Sequence, residues 1–280
     1  MAPLGIIAGL GELPIQVAEA AIQRGQGVYI VRLKGFEEPA LETYPGDVAG
    51  IAQLGKMFKA FKSAGCEQIC FAGIVKRPDF QALKPDIRGV SLLPKAIAAA
   101  RQGDDALLRF LIDVFEREGF QVIGADEAAQ SLTVDAGLMA GPAPDDAQMA
   151  DLKKAADIAR QMGQLDIGQG AIVANGLVLC VEAQEGTDQM LQRCATLPRQ
   201  IRGTPQARLG VLVKRPKPQQ ERRIDLPTIG LNTIELAAEA GLAGIGYEAD
   251  GALMLNAEQI RKRASELGLF LYGFPKDWTP

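Results

Sequence analysis

Short apolar segments alternate with segments of helical periodicity in the first part of the chain. The apolar segments predict β-strands at residues 4–8, 27–33, 67–73 and 120–125. Helices are predicted at residues 14–24, 51–65 and 104–118, and the second of them places Leu54, Phe58 and Phe61 on one face. Repetition of strand, helix and strand predicts a parallel sheet with right-handed crossovers.

The same alternation returns in the second part of the chain. Strands are predicted at residues 171–174, 176–183, 209–213 and 244–248, and helices at residues 145–162, 188–194, 233–240 and 256–267. A stretch rich in Gly, Ala, Pro and Asp between residues 135 and 150 separates the two blocks. We therefore predict an N-terminal domain over residues 1–135, a linker and connecting helix over 136–163, and a C-terminal domain over 164–280. A cleft between the domains is the expected ligand site, because ligands often bind at domain interfaces.

The chain contains no histidine in 280 residues. This excludes Ser-His-acid triads, histidine phosphotransfer, histidine-zinc sites and histidine-rich di-metal phosphoesterases. Any chemistry must therefore use Asp, Glu, Lys, Arg, Tyr, Cys or a metal held by oxygen. The cysteines show no CxxC pair or metal-type spacing, which predicts buried, reduced thiols. They are Cys66, Cys70, Cys180 and Cys194.

No secretory signal opens the chain, and no apolar run approaches the roughly 18 residues that a transmembrane helix needs. We therefore expect a cytoplasmic protein that is soluble or at most bound to a membrane surface. With 48% hydrophobic residues, the chain can bury one large core or two smaller ones.

The most informative segment runs from Val211 to Thr233, where an apolar strand leads into a basic cluster and then reaches Asp225. The basic cluster is opposed within the segment only by Glu221, although the whole chain has a net charge of −4. Its members are Lys214, Arg215, Lys217, Arg222 and Arg223. A local positive cluster on an acidic protein favours a phosphate ligand over nucleic acid. A solvated basic loop is an equally good interpretation of this segment alone.

Gly9 and Gly11 form a G-x-G turn after the first predicted strand, but Pro14 replaces the third glycine of the dinucleotide fingerprint. Contact with a nucleotide or phosphate is predicted here, and a structural tight turn is the alternative. The loop of residues 73–78 follows the third strand and contains Gly73, Lys76 and Arg77. It is a second candidate for phosphate contact, because open α/β sheets bind ligands at the carboxyl ends of strands.

Thr187 and Asp188 follow Gly186 where a predicted strand passes into a helix. A helix cap is the simpler interpretation. The functional alternative is that Thr187 donates to a phosphate oxygen, while Asp188 binds a divalent cation or orients water. Because Mg²⁺ takes oxygen ligands and needs only one or two carboxylates besides phosphate, Asp188 and Asp225 could supply a magnesium site. Cleavage of a phosphoanhydride requires charge neutralisation and an oriented water, and it does not require histidine.

The segments GIIAGLGELP, CFAGIVKRP, VEAQEGTD and VKRPKPQQERRIDLPTIG occur in this order and span nearly the whole chain. In these segments the sequence resembles the LpxI-type UDP-2,3-diacylglucosamine pyrophosphatases of Gram-negative bacteria. The resemblance implies hydrolysis of UDP-2,3-diacylglucosamine to UMP and 2,3-diacylglucosamine 1-phosphate (lipid X) in lipid A biosynthesis, with Mg²⁺ as cofactor. It also implies two α/β domains, of which the N-terminal one has a Rossmann-like parallel sheet and the C-terminal one is catalytic and binds lipid.

The resemblance assigns expected roles to individual residues. Asp225 is the expected catalytic carboxylate, as metal ligand or water-orienting base, and Asp188 is the second expected metal ligand. Lys214, supported by Arg215, is expected to neutralise the pyrophosphate, and Thr187 to complete the phosphate site. Further polar contacts with the substrate are expected from Gln169 and Asn175. The expected contacts with the nucleotide are Gly9, Gly11, Glu12, Gly73 and Lys76.

The UDP-linked glycolipid implied as substrate carries two acyl chains and therefore requires an apolar compartment. The apolar faces of residues 51–65 and 105–115 are candidates, and the lysines of the first suggest peripheral contact with the inner membrane surface. An ordinary core helix with outward lysines is the favoured alternative.

A homodimer is expected as the most frequent assembly. The alternatives to a pyrophosphatase are a Rossmann-type NAD(P)-dependent oxidoreductase and a non-catalytic sensor or carrier of a phosphorylated ligand.

Overall fold

The structure is a computed structural model that describes residues 1–76 and 78–278. Its internal contacts divide the chain into two units. The first unit comprises Met1–Ser131 together with Glu221–Asp225, and the second comprises the rest of the described chain. The first unit is therefore discontinuous in sequence.

The first unit is built on a parallel sheet. Its strands are β1 (Leu4–Ala8), β2 (Val28–Leu33), β3 (Gly46–Ala49), β4 (Gln68–Ala72) and β5 (Gln121–Ile123), in the order β3-β2-β1-β4-β5. Its helices are α1 (Leu13–Gln23), α2 (Leu54–Ser63), α3 (Ile87–Ala100), α4 (Asp104–Arg117) and α5 (Ala125–Ala128), with a 3-10 helix at Pro39–Thr43. All of the strand pairs are parallel, as predicted.

The central strand β1 is buried along its whole length, which explains its unbroken apolar sequence LGIIA. The helices α2 and α4 turn their apolar faces into the core beside the sheet, where Phe58 and Phe115 meet edge to face. The lysines of α2 point outward, at Lys56, Lys59 and Lys62. The interpretation of α2 as an ordinary core helix is therefore confirmed, and its buried face is not an open acyl-chain compartment.

The second unit contains a mixed sheet and two short strand pairs. Its strands are β6 (Gly137–Ala140), β7 (Gly170–Ala174), β8 (Leu177–Val181), β9 (Gly203–Thr204), β10 (Ala207–Arg208), β11 (Val211–Lys214), β12 (Thr228–Ile229), β13 (Gly244–Glu248), β14 (Leu253–Met254) and β15 (Phe270–Phe274). Its helices are α6 (Asp146–Gln164), α7 (Gly186–Ala195), α8 (Arg199–Arg202), α9 (Leu231–Glu239) and α10 (Ala257–Glu266). A 3-10 helix at Gln130–Leu132 precedes these elements.

The main sheet of the second unit has the order β6-β15-β13-β11-β7-β8. Strands β8, β11, β13 and β15 run in one direction, because β13 is parallel to both β11 and β15, and β7 is antiparallel to both β11 and β8. One face packs on α6 around Leu152, Val213 and Phe270, and the other packs on α7, α9 and α10 around Leu212 and Ile245. The α/β class with a parallel first sheet is thus confirmed.

Several elements were not predicted. The short edge strand β3 has only one buried residue, Ala49, so it lacks a clear apolar pattern. Helix α3 contains Pro94, which normally indicates the end of a helix. Residues 136–163, predicted to be a linker and connecting helix, contain the strand β6, which pairs antiparallel with β15, and most of α6.

All four cysteines are buried, and none of them forms a disulfide, which agrees with the prediction of reduced thiols. Burial raises the pKa of Cys66 to about 11 and that of Cys70 to about 12. Within the described residues, no helix combines the length and the apolar character that crossing a membrane requires.

Candidate active site

In the first unit, the loops after β1 and β4 meet where the strand order reverses. Gly9 donates its N–H to the carbonyl of Ala72, and Leu10 and Ile74 exchange two backbone hydrogen bonds. A Cβ at Gly9 would lie 2.6 Å from the carbonyl oxygen of Ile74, and one at Gly73 would lie 2.8 Å from backbone atoms of Gly9 and Leu10. Both glycines are therefore needed for the close approach of the two loops. This agrees with the alternative interpretation of the G-x-G segment as a structural tight turn.

Gly11 has a φ of 96°, and its N–H donates to the Glu38 carboxylate over 3.2 Å. The Glu38 carboxylate thus accepts the hydrogen bond from the N–H group that a nucleotide phosphate was predicted to approach. Glu12 is exposed at the N-cap of α1, and Pro14 removes a donor from the first turn of that helix. Lys76 is exposed in the loop after β4, and Arg77 lies outside the described residues.

The segment Glu221–Asp225 is held in the first unit by several charged groups. The N–H of Glu221 donates to Oδ1 of Asp105 over 2.8 Å. The guanidinium of Arg223 donates to both carboxylate oxygens of Glu221, at 2.9 and 3.1 Å, and to Glu116 at 2.8 Å. The hydrogen bond from Arg223 lowers the pKa of Glu221, although burial acts in the opposite direction. Ile224 adds an apolar contact with the core of the first unit.

Asp225 ends this segment, and its N–H donates to the carbonyl of Glu221 over 3.1 Å. The residue is exposed. Asp225 thus belongs to the first unit, whereas Lys214, Thr187 and Asp188 belong to the second.

In the second unit, Lys214 and Glu182 lie on either side of Gly170 at one end of the sheet. Gly170 pairs with Lys214 of β11, and the N–H of Glu182 donates to the carbonyl of Gly170 over 2.9 Å. A Cβ at Gly170 would lie 2.5 Å from Oε2 of Glu182, so the carboxylate extends over the glycine. Burial raises the pKa of Glu182, and the nearby charge of Lys214 acts in the opposite direction.

Thr187 and Asp188 stand in the first turn of α7, beside this charged pair. The hydroxyl of Thr187 donates to Oε1 of Glu182 over 3.1 Å. A threonine hydroxyl has one proton to donate, so the predicted donation from Thr187 to a phosphate would require this bond to break. Asp188 is exposed, and Asn232 donates to its Oδ2 over 2.7 Å. The N-cap of α7 is Glu185, and no side chain caps this helix, so the interpretation of Thr187 or Asp188 as a helix cap is wrong.

Three other members of the basic cluster have carboxylate partners. Arg215 is buried against Glu248, with Nη2 and Oε2 2.9 Å apart, and also donates to the carbonyl of Lys276. Lys217 pairs with Asp166 at 2.8 Å, and Arg223 pairs with Glu221 and Glu116. The cluster is therefore not an open positive loop. The contacts of Arg215 are those of a residue that stabilises the fold, and they do not support its predicted contact with the pyrophosphate.

Gln169 and Asn175 flank the same strand, β7, so they lie at its opposite ends. Gln169 adjoins Gly170, its carbonyl accepts from the N–H of Arg215, and its Oε1 is buried without a hydrogen-bond partner among the described residues. Asn175 forms a turn with φ of 49°. Since the five residues of β7 separate them, the two positions are about 20 Å apart along the strand. Asn175 and Lys214 therefore cannot contact the same phosphate group.

The described residues contain no group of three or more Cys, Asp or Glu side chains that could hold a metal ion. Mg²⁺, however, commonly uses one or two carboxylates together with waters and substrate phosphate. Asp188 and Asp225 are exposed residues, and their side chains are of the carboxylate type that this ion prefers. The donor chemistry fits Mg²⁺, and joint binding by the two residues stays a prediction.

The second unit thus brings Lys214, Thr187 and Asp188 into one neighbourhood. Sequence reasoning missed two residues there, Glu182 and Asn232. A signal for Glu182 was present, because it is a carboxylate directly after the apolar strand LVLCV in the segment VEAQEGTD. Asn232 gave no comparable signal, since an asparagine at the start of a predicted helix usually indicates a cap.

These features define a two-unit α/β protein whose second unit gathers ammonium, hydroxyl and carboxylate groups suited to a phosphorylated ligand. Comparison with known proteins identifies the family within this class. A sequence model described as the LpxI N-terminal domain matches residues 3–132, and one described as the LpxI C-terminal domain matches residues 135–272. The chain belongs to the LpxI family.

A curated relative supports this assignment over the full length of both chains. The UDP-2,3-diacylglucosamine pyrophosphatase LpxI of Caulobacter vibrioides is 53% identical over 280 residues, which is 100% of each chain. The resemblance inferred from four sequence segments is thereby confirmed.

Proposed function

We propose that this protein hydrolyses the pyrophosphate bond of UDP-2,3-diacylglucosamine and releases UMP and 2,3-diacylglucosamine 1-phosphate in lipid A biosynthesis. The observation that carries the proposal is full-length similarity, at 53% identity, to a relative with the name of this pyrophosphatase. The charged groups around Gly170 support it, because they suit a phosphorylated ligand. The close approach of Gly9 and Gly73 and the Glu38 carboxylate at Gly11 give no support to the oxidoreductase alternative.

Within this proposal, Lys214 neutralises charge on the pyrophosphate as the leaving phosphate develops. Asp225 is the proposed catalytic carboxylate, and it orients or deprotonates the attacking water. The contacts of Glu221 and Arg223 support this role, because they hold the short segment in which Asp225 lies.

Mg²⁺ is the proposed cofactor, with Asp188 and Asp225 as its carboxylate ligands. When bound, the ion would supply further neutralisation of phosphate charge. The hydrogen bond from Asn232 to Oδ2 of Asp188 restricts the orientation of one of these carboxylates, as expected for a metal ligand.

The test is to measure UMP release from UDP-2,3-diacylglucosamine by the wild-type protein over many turnovers. Asp225→Asn should lower kcat by about 10²- to 10⁴-fold and leave substrate binding largely intact, because a catalytic carboxylate acts mainly in the transition state. Asp113→Asn is the matched control, since Asp113 is 63% exposed on α4. Absence of turnover in the wild type would favour a sensor or carrier. Full activity of Asp225→Asn would contradict the proposed mechanism.

A substrate with two acyl chains also motivates peripheral contact with the inner membrane surface. This contact, the cytoplasmic location and the homodimer stay predictions from the sequence. Co-sedimentation with liposomes that carry the substrate tests the membrane contact, and sedimentation equilibrium tests the dimer. Failure to sediment at any salt concentration would contradict membrane binding.

A further inference from the structure

Three buried polar side chains from separate elements meet at the end of the main sheet of the second unit. Glu182 follows β8, Thr187 lies in α7, and Lys214 ends β11; their exposed fractions are 6%, 9% and 7%. Glu182 connects the other two, because its Oε1 accepts from Thr187 and its charge interacts with that of Lys214.

The hydrogen bonding of Glu182 is incomplete. Its Oε2 is buried and has no hydrogen-bond partner among the described residues. Buried polar atoms are nearly always satisfied in folded proteins, and exceptions call for an explanation such as a functional role. Burial also raises the pKa of this carboxyl, which means that its ionised form is disfavoured where it lies.

The pair of Arg215 and Glu248 in the same sheet provides a contrast. That guanidinium bonds to Glu248, donates to the carbonyls of Ala156 and Lys276, and lies over the ring of Phe274. These contacts all lie within the second unit, and they are sufficient to explain the pair as part of the fold. Oε2 of Glu248 also lacks a hydrogen bond of regular geometry among the described residues, but the Arg215 guanidinium lies 2.9 Å from it, which accounts for its burial. Oε2 of Glu182 instead extends over Gly170.

We propose that Glu182 is a positioning residue for the pyrophosphatase reaction. Its carboxylate fixes the first turn of α7 through Thr187, and therefore the carboxylate of Asp188 in the same turn. Lys214 of β11 pairs with Gly170 on the other side, and its charge is attracted to the carboxylate. Glu182 thereby orients groups that act on the substrate phosphates, without touching the substrate itself. This inference rests on the function proposed above.

Gly170 makes the arrangement testable without changing Glu182. A methyl group at residue 170 would collide with Oε2 of Glu182, which is the end of a flexible side chain, and would displace the carboxylate. Gly170→Ala should therefore reproduce part of the effect of Glu182→Gln, which keeps the shape of the side chain and removes its charge. Gly27→Ala is the matched control, because its new methyl group would meet only Pro3, at 3.8 Å.

The experiment measures UMP release per folded molecule for each variant of the full chain. Glu182→Gln and Gly170→Ala should each lower kcat/KM by about 10- to 100-fold, as is typical for residues that orient catalytic ligands. Gly27→Ala should keep the wild-type value. If Glu182→Gln does not fold, the result for Gly170→Ala decides the question.

A double-variant cycle separates positioning from a general structural effect. If Glu182 acts through Thr187, adding Thr187→Val to Glu182→Gln should cause little further loss, because the shared hydrogen bond is already weakened. Wild-type kcat/KM in both single variants, or fully additive losses in the cycle, would overturn the inference. An inactive wild-type protein would instead contradict the proposed function, so the two failures are distinguishable.

Discussion

Asp151 of α6 holds the turn at Asn175, because its carboxylate accepts the N–H of Asn175 and that of Gly176, each over 2.7 Å. Both turn residues have positive φ, 49° and 75°, as a type I′ hairpin turn requires. The turn joins β7 to β8, and β8 leads directly to Glu182. A buried side chain at one end of the hairpin therefore supports the register of the strand that carries the positioning residue at the other end.

Asp151→Asn should destabilise the protein by about 1–3 kcal/mol, because one of the two part-buried N–H groups of the turn would lose its charged acceptor. The measurement is urea unfolding at neutral pH. Asp146→Asn, at an exposed position on the same helix, should change the free energy of unfolding by less than about 1 kcal/mol. Since Asn175 is remote from Lys214 along β7, kcat/KM should be unchanged in folded Asp151→Asn. A selective loss of activity would restore the predicted substrate contact of Asn175.

Glu248→Gln or Arg215→Met should each destabilise the protein by about 3–5 kcal/mol, because either change leaves a buried charge without its partner. The double variant should lose less than the sum of the two, and urea unfolding of all three proteins measures the difference. A stable Arg215→Met protein with a raised KM would contradict this expectation and would favour the phosphate contact predicted from the sequence.

The pair of Glu221 and Arg223 should make stability depend on pH in the acidic range. The pKa of Glu221 is lowered in the folded protein, so its contribution is fully present above the pKa of the unfolded chain, about 4.3, and is lost as the pH falls through the folded pKa. Wild type should be more stable than Glu221→Gln by about 1 kcal/mol at pH 7, since Arg223 is partly exposed.

This difference should shrink when urea unfolding is repeated below the unfolded pKa. Glu118, whose pKa is lowered by Arg88, is present in both proteins, so its own titration cancels in the comparison. A difference that stays constant across this pH range would show that Glu221 stabilises the segment through contacts other than its charge.

Gly9→Ala and Gly73→Ala should lower the melting temperature, because each new methyl group would collide with backbone atoms of the facing loop. Gly73 also has a φ of 95°, which adds strain for any other residue. Gly27→Ala, with ordinary contacts only, should melt like the wild type. A raised KM for the UDP-linked substrate, with an unchanged melting temperature in Gly9→Ala, would instead support the predicted nucleotide contact.

The fold was predictable where a strand is buried on both faces. The segments LGIIA of β1 and GAIVA of β7 are uninterrupted apolar runs, and both were predicted close to their observed bounds. The edge strand β3 and the strand β6 were not predicted, because most of their residues are partly or fully exposed. In addition, β3 pairs with β2 over only four residues, and β6 pairs with β15, which is distant in sequence. Such pairing depends on tertiary contacts that local patterns do not contain.

The candidate site was predictable in its residue types more than in its geometry. Lys214 and Arg215 are neighbours in sequence and were expected to act together, yet Lys214 interacts with Glu182 beside α7, and Arg215 bonds to a carbonyl of α6. Successive side chains along a strand point to opposite faces, so adjacent basic residues need not share a ligand. Glu182 was missed because its importance depends on the glycine that pairs beside it, which only the strand register reveals.

The discontinuous first unit has a consequence for how the chain can be divided. A cut at the boundary near residue 131 would give one fragment without the segment Glu221–Asp225 and another that carries this segment without Asp105 and Glu116. Neither half would therefore be a self-contained module. Gene fusions, truncations and domain exchanges between relatives should keep the two halves from the same parent, since the proposed catalytic aspartate is encoded in one half and held by side chains of the other.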